Sequence, residues 1–283
     1  MDRIKRNIYV TRNVEIKRDG NTLKVGDKKL PLSIVNNVFI IGNAKISRSA
    51  QNLILKNSKA IFFLNYKYDL VGILTPPFFK SDYSLRVKQY QKLNDIKLAK
   101  FVIEKKIIAI ENYVGKSLNR YKEKLKSVNS IDEILGVEGS CSTYMFKKFR
   151  EDLENIGITE FKKREYRPVK DRVNGVLSFL YSMYYAFLFS EVISLGFDPY
   201  AGIVHKKRGK HAVFVSDMME DARVYLTKLA FLIIKEIYDD GFDGLYLNDE
   251  ARKYVVKEFD DFILSYENSL LKEFSKVLLN DTI

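Results

Sequence analysis

Two consecutive prolines, Pro76 and Pro77, place the strongest constraint on how this chain folds. They cannot continue a strand ladder or a helix, because proline lacks the backbone N–H donor that both require. Before them, short β-branched and aromatic runs alternate with turn-forming residues; after them, apolar residues recur with helical spacing. The chain is therefore predicted to be α+β, with a small β-rich domain over residues 1–78 and a larger all-α domain over 79–283.

The individual elements follow from the same patterns. Strands are predicted over 7–11, 14–17, 22–25, 37–41, 60–64 and 70–74, with a short helix over 46–55. Helical periodicity covers 85–125, and further helices are predicted over 131–157, 173–195, 217–238 and 249–278. The uncharged run of 18 residues over 173–190 is long enough to raise the question of a membrane span. Its polar residues favour a buried helix instead, so no membrane partner is expected.

The charge distribution indicates a polyanionic partner. Lys and Arg outnumber Asp and Glu by 48 to 36, which gives a formal net charge of +12. Residues 1–80 hold 15 basic and 5 acidic residues, so most of the excess lies in the β-rich segment. Nucleic acid is the first candidate and an anionic membrane surface the second. Cys141 is the only cysteine, which excludes an intramolecular disulfide and a cysteine-rich metal site and fits a cytoplasmic location.

Four residues in two stretches have the chemistry of a metal site. Glu138 lies in a Gly-Val-Glu-Gly segment, where the backbone can approach a ligand closely. Asp217 and Glu220 are three residues apart, which on one helix puts both carboxylates on one face, and His205 is one of only two histidines. Such an oxygen-dominated set suits Mg²⁺ or Mn²⁺. The competing interpretation is a solvated glutamate and a pair of acids that cap a helix.

Basic residues flank these stretches, at 162–164, 167–172 and 206–210. Each run is also explained by a solvated loop. Cations beside a carboxylate-held metal are nevertheless what a phosphodiester enzyme needs, with the metal at the scissile phosphate and the cations along the backbone.

Three ordered motifs resemble the CRISPR-associated integrase, the adaptation endonuclease that inserts new spacers. Residues 136–146, GVEGSCSTYMF, are similar to its Gly-x-Glu-Gly segment, and 167–181, RPVKDRVNGVLSFLY, to its long-helix signature. Residues 196–205, GFDPYAGIVH, followed by DMMEDAR at 217–223, match its glycine-to-histidine approach and acidic helix start. The chain departs from the family at Arg172, where proline is frequent, and at Lys210-His211. His211 is expected to be a solvated residue without a role.

The resemblance implies a function and a set of site residues. The metal ligands would be Glu138, His205 and Glu220, and the catalytic set would add Asp217 as an acidic neighbour one turn away. The activity would be that of a metal-dependent DNA endonuclease and integrase, which joins 3′-hydroxyl ends of double-stranded spacer DNA to CRISPR repeat DNA by transesterification. The β-rich domain would form a homodimer, and a small ferredoxin-like CRISPR-associated protein would be the partner.

Two alternatives stay open at this point. A general metal-dependent nuclease would use the same ligands with water as the nucleophile. A non-catalytic nucleic-acid-binding protein would use the acids only as helix caps, and it would bind no metal near His205.

Overall fold

The structure is a computed structural model that describes residues 6–11, 13–65, 70–76, 83–166, 168–206, 209, 211–266 and 269–280. The chain divides into two compact units, Met1–Ser81 and Asp82–Ile283. Strands dominate the first unit and helices the second, so the α+β prediction is confirmed. The stretch after Pro76, in which the predicted domain boundary falls, lies outside the described residues, as do the basic residues Arg167, Lys207, Arg208 and Lys210.

The described part of the N-terminal unit holds two four-stranded sheets, one α-helix and a short 3₁₀ helix over Leu32–Ile34. Its elements are β1 (Arg6–Val10), β2 (Glu15–Asp19), β3 (Thr22–Val25), β4 (Lys28–Pro31), β5 (Val35–Ile41), β6 (Lys45–Ile46), α1 (Arg48–Lys56), β7 (Ile61–Leu64) and β8 (Leu70–Leu74). One sheet has the order β1-β5-β7-β8, with parallel pairing except between β7 and β8. The other has the order β4-β3-β2-β6. Strands β2, β3 and β4 form an antiparallel meander, and β6 adds in parallel to β2.

The sheets and α1 enclose an apolar core. Ile16 and Leu23 of the meander, Val38 of β5 and Ile54 of α1 belong to one cluster of buried side chains. Strands β4 and β6 were not predicted. The segment Lys28–Pro31 has two lysines and a proline instead of a β-branched run, and it becomes a strand because β3 pairs with it.

The C-terminal unit is built from helices. They are α2 (Ser84–Gln91), α3 (Ile96–Val114), α4 (Asn119–Ser127), α5 (Ile131–Glu154), α6 (Arg172–Leu195), α7 (Val213–Met218), α8 (Glu220–Ile237), α9 (Asp249–Ser265) and α10 (Leu270–Asn280). A short antiparallel hairpin precedes α9; its strands, β9 (Phe242–Asp243) and β10 (Tyr246–Leu247), have two residues each.

The helical stretch predicted over 85–125 is three helices. Asn94 has a left-handed backbone with φ of 63°, and Asp95 then caps α3 by accepting hydrogen bonds from the N–H groups of Lys97 and Leu98. Gly115, with φ of 67°, ends α3. The stretches predicted over 217–238 and 249–278 are likewise divided in the structure.

Helices α3, α5 and α8 pack against one another, and α6 packs on α8. Helix α6 is the one described helix that is long and apolar enough to cross a bilayer, and 67% of its most apolar window is buried inside the protein. The triangle formed by α3, α5 and α8 positions the candidate site.

Candidate active site

Three mutually packed helices each place one charged side chain at the same point. Glu138 comes from the middle of α5, Glu220 from the first residue of α8 and Lys106 from the buried face of α3. The ammonium of Lys106 contacts Glu138 Oε1 and lies 2.5 Å from Glu220 Oε2. Glu138 Oε1 also accepts a hydrogen bond of 2.7 Å from Ser142 Oγ. Two of the predicted ligands therefore meet, and a lysine that was not predicted bridges them.

Asp217 holds the turn that carries His205. Its fully buried carboxylate accepts hydrogen bonds from the backbone N–H groups of Ile203 at 2.6 Å, and of Val204 and His205 at 3.0 Å each. Gly202 makes this turn possible, because a Cβ there would lie 2.7 Å from the side chain of Val213 and 3.1 Å from Asp217 Oδ2. The Gly-Ile-Val-His sequence thus folds around one carboxylate.

The same carboxylate orients the imidazole of His205. Nδ1 of His205 lies 2.7 Å from Asp217 Oδ1, so Nδ1 donates its proton to Asp217, and in the neutral ring the lone pair is on Nε2. Nε2 lies 4.0 Å from Glu220 Oε1. Burial lowers the pKa of His205, but the hydrogen bond to Asp217 and the charge of Glu220 outweigh it and raise the pKa above its ordinary value.

Glu220 is an ionised carboxylate surrounded by cations. Burial favours its protonated form, yet Lys106, Arg223 and His205 together lower its pKa to about 2. Arg223 approaches from its own helix, with Nε 3.3 Å from Glu220 Oε1. The charges of Glu220 and Glu138 raise the pKa of Lys106 above its usual range against the effect of burial, so the ammonium stays charged.

One local expectation from the sequence is wrong. Asp217 and Glu220 do not share a helix face, because α7 ends at Met218 and α8 begins at Glu220. Glu138 lies in the interior of α5, and a Cβ on either neighbouring glycine would meet open space. The site is built by side chains from different elements.

The interpretation of the acids as helix caps does not describe them. Asp217 does not cap α8, because its oxygens accept hydrogen bonds from the backbone N–H groups of residues 203–205. Glu220 is a first-turn acid of α8, but its oxygens face Lys106 and Arg223. Both carboxylates are used to build a polar cluster inside an apolar unit.

Among the described residues, no group of three or more His, Cys, Asp and Glu side chains converges closely enough to hold a metal ion. The ammonium of Lys106 lies between Glu138 and Glu220 and pairs with both. The donor set itself fits a hard divalent ion, because the oxygens of two carboxylates and an imidazole nitrogen are the ligand types that such an ion takes. Glu138, His205 and Glu220 are the residues that would hold it, and Asp217 orients one of them.

A second group of cations lies beside Glu220. The guanidinium carbons of Arg164 and Arg223 are each 5.4 Å from the ring centroid of Tyr181, and Arg164 also stacks on Tyr166 at 4.3 Å. Tyr166 is 61% exposed, so this group reaches the surface. Among the described residues, Nε of Arg164 is buried without a hydrogen-bond partner, whereas Nε of Arg223 has only the ion-pair contact with Glu220. An unused donor on a buried guanidinium group is suited to an anionic ligand.

The Asp-x-x-Asn motif at the start of α6 supports this group. Asp171 caps α6 through the N–H of Asn174 and also accepts from its side-chain amide at 2.7 Å. Asn174 Oδ1 in turn accepts from Arg164 Nη1 at 2.9 Å and from the N–H of Glu165 at 3.0 Å. No described carboxylate lies within ion-pair distance of Arg164, and burial lowers its pKa.

Sequence reasoning missed Lys106 and gave no role to Arg223. The signal for Lys106 is its place in the apolar stripe of α3, where Val102, Ile103 and Ile107 are all buried. A lysine at such a position requires buried anionic partners. His211 is exposed, as predicted, but it also has partners, because its Nε2 lies 2.5 Å from Ser216 Oγ and its ring stacks on Tyr185 at 5.0 Å.

The fold and this site define a class of protein that comparison with known families identifies. The family model described as CRISPR associated protein Cas1 matches residues 8–261. The chain therefore belongs to the Cas1 family, and the resemblance noted in the sequence is confirmed.

The similarity to individual relatives extends along most of the chain. A CRISPR-associated endonuclease Cas1 of Thermodesulfovibrio yellowstonii is 27% identical over an alignment of 292 positions, gaps included, that covers 90% of this chain and 91% of the relative. The structure of a CAS1 protein from Thermotoga maritima has a TM-score of 0.83 at 21% identity, with 98% of each chain covered. A casposase bound to integration product has a TM-score of 0.75 at 19% identity, covering 90% and 82%. A Cas6-RT-Cas1–Cas2 complex has a TM-score of 0.76 at 20% identity, covering 98% of this chain and 35% of that one.

Proposed function

We propose that this chain is a divalent-metal-dependent DNA endonuclease and integrase of CRISPR adaptation. In the proposed reaction, the 3′-hydroxyl of a spacer strand attacks a phosphodiester of the repeat DNA, a new phosphodiester forms, and the displaced 3′-oxygen leaves with a proton. The observation that carries this proposal is the meeting of Glu138 and Glu220 in one buried cluster, beside a His205 whose Nε2 is left free by Asp217. Family membership and the names of the relatives support it.

The residues would act as a preorganised set. Mg²⁺ or Mn²⁺ held by Glu138, His205 and Glu220 would offset the negative charge that develops on the phosphoryl oxygens. Asp217 keeps the proton of His205 on Nδ1 and the lone pair on Nε2. Burial of Glu220 keeps water away from its carboxylate, and its low pKa keeps it ionised at neutral pH.

The DNA would be held by cations on both units. Arg164 has an unused donor, and Arg223 lies beside Glu220; both are proposed to bind backbone phosphates next to the reacting one. The excess positive charge of residues 1–80 would hold the duplex without reading its sequence.

The assembly is part of the same proposal. The chain is proposed to form a homodimer through the β-rich unit, in the cytoplasm, and to bind a small ferredoxin-like CRISPR-associated partner. The similarity to a chain of a Cas6-RT-Cas1–Cas2 complex supports a partner of that kind. Sedimentation of the purified chain at micromolar concentration tests the dimer, and a monomer would contradict it.

The function is tested with the protein, Mn²⁺, a short duplex with free 3′ ends and a supercoiled plasmid that contains the repeat. Joined products indicate strand transfer. Glu138→Gln and Glu220→Gln should each abolish joining, because each removes one charged donor from the proposed site. Glu151→Gln is the matched control, since Glu151 is an exposed glutamate on the same helix as Glu138. Nicked plasmid without joined product would favour the hydrolytic nuclease, and full activity of the Glu138 and Glu220 variants would contradict the proposal.

A further inference from the structure

Lys106 is the most deeply buried lysine among the described residues, and the proposed reaction gives it no role. Its side chain is 4% exposed, and it lies among apolar residues of α3 that pack against α5 and α8. Its only described partners are Glu138 Oε1 and Glu220 Oε2. It therefore contacts two of the three residues proposed to hold a divalent ion, and no other hydrogen bond or ion pair of its ammonium is found in the described part of the chain.

The three charges depend on one another. Two carboxylates cannot both stay ionised at close range inside a protein unless a cation offsets their repulsion and their loss of hydration. Arg223 offsets part of the charge of Glu220 at Oε1, whereas Lys106 is the cation that joins Glu138 to Glu220. In the metal-free protein, Lys106 is consequently what allows the two carboxylates to lie together.

The same contacts oppose a second cation. An ammonium in contact with both carboxylates occupies the space in which a divalent ion would share those oxygens. Charges of like sign repel strongly at short range in a buried site, because the surroundings screen them weakly. Unless the ammonium moves away, an incoming Mg²⁺ or Mn²⁺ meets a positive charge in contact with its own ligands.

We propose that Lys106 is an internal counter-cation, which holds Glu138 and Glu220 together without metal and which a divalent ion must displace in order to bind. Lys106 is thus a positioning residue, and it sets how tightly the site takes up metal. This inference rests on the proposed metal-dependent function, and it predicts that the ammonium and the metal compete for the same two carboxylates.

The test measures metal binding directly, without an activity assay. Lys106→Met and Lys106→Gln remove the charge, Lys106→Arg keeps it, and Lys97→Met removes one positive charge from an exposed position on the same helix. Mn²⁺ is titrated into each protein by calorimetry, and thermal unfolding is followed with and without Mn²⁺. The glutamine variant keeps a polar group beside the carboxylates and provides the measurement if the methionine variant does not fold.

The proposal predicts that, without metal, the Met and Gln variants unfold at a lower temperature than the unmodified protein. Mn²⁺ should raise their unfolding temperature by more than it raises that of the unmodified protein. Their Kd for Mn²⁺ should fall by about tenfold or more, which is roughly 1.4 kcal/mol. The Arg variant and the Lys97→Met control should not bind more tightly. Metal binding that appears only when Lys106 is neutralised would also support the proposal.

Two results would overturn it, and they are distinguishable. If the unmodified protein binds Mn²⁺ and the Met and Gln variants bind it equally or more weakly, Lys106 does not compete with metal, while the proposed function stands. If neither the unmodified protein nor any Lys106 variant binds Mn²⁺, both this inference and the proposed metal dependence are wrong.

Discussion

Replacing Asp217 by asparagine separates its proposed orienting role from that of a metal ligand. The carboxylate accepts four hydrogen bonds, three from backbone N–H groups of the turn at 203–205 and one from Nδ1 of His205. Asparagine has the same shape but only one acceptor oxygen. If that oxygen stays on the N–H groups of Ile203 and Val204, the new NH₂ group faces the backbone N–H and Nδ1 of His205.

The magnitude follows from these contacts. A buried N–H that loses its acceptor costs about 1–3 kcal/mol, and hydrogen bonds that lose their charge assistance cost roughly 1 kcal/mol more. The free energy of unfolding of the metal-free Asp217→Asn variant should therefore fall by about 2–4 kcal/mol. The NH₂ group also donates to Nδ1, which moves the imidazole proton to Nε2. Nε2 can then no longer offer a lone pair, and the affinity for Mn²⁺ should fall by roughly 10–100-fold.

Urea denaturation measures the first effect and calorimetric titration with Mn²⁺ the second. Asp132→Asn is the control, because Asp132 is exposed and its ion-pair partner among the described residues is the exposed Lys206. A change in unfolding free energy below about 0.5 kcal/mol, the range of ordinary surface substitutions, would refute the role of Asp217 in holding the turn. An unchanged Mn²⁺ affinity would refute its role in orienting His205.

Three further outcomes are expected. Gly202→Ala should destabilise the protein by about 1–3 kcal/mol in urea denaturation, because the new Cβ meets Val213 and Asp217; a neutral effect would contradict the tight turn. Burial raises the pKa of Asp221 from 3.8 to about 7, so the folded state binds more protons than the unfolded state between these values. Its contribution to stability is present at low pH and lost as pH rises from about 4 to about 7, at up to roughly 1.4 kcal/mol per pH unit. Asp221→Asn removes this titrating group, so the free energy of unfolding of the variant, measured by urea denaturation at a series of pH values, should lack this fall; the same fall in both proteins would contradict the assignment to Asp221. Arg164→Gln should weaken DNA binding for all sequences and reduce the salt slope by about 0.9 per lost phosphate contact; an unchanged slope would place Arg164 away from the DNA backbone.

Much of the fold could be predicted because it depends on local patterns. The apolar spacing of α3 and the uncharged run of α6 identify both helices, and β-branched runs identify β5 and β7. The elements that were predicted wrongly depend on strand pairing or on the backbone angles of a single residue. Strand β4 exists only because β3 pairs with it, and the end of the helical stretch before α3 depends on the left-handed backbone of Asn94.

The candidate site shows the same division. The types of residue at Glu138, His205, Asp217 and Glu220 were enough to suggest a hard metal. In the structure, Lys106 joins Glu138 to Glu220, and Nε2 of His205 lies 4.0 Å from Glu220 Oε1. The partner of Glu138 and Glu220 was not predictable, because Lys106 reaches them only when α3, α5 and α8 pack together. The role of Asp217 was missed for a similar reason. A spacing of three residues suggested a shared helix face, but Met219 separates two helices, so Asp217 and Glu220 lie on different ones.

The central claim is that Glu138, His205 and Glu220 hold one divalent ion, while Asp217 accepts a hydrogen bond from Nδ1 of His205 and is not a ligand. Diffraction from crystals grown with MnCl₂, measured at the manganese absorption edge, tests it most directly. The account predicts one anomalous peak within about 2–2.5 Å of both glutamate carboxylates and of Nε2 of His205, with Asp217 still on Nδ1. A manganese ion bound by Asp217, or no manganese among these three residues, would contradict it.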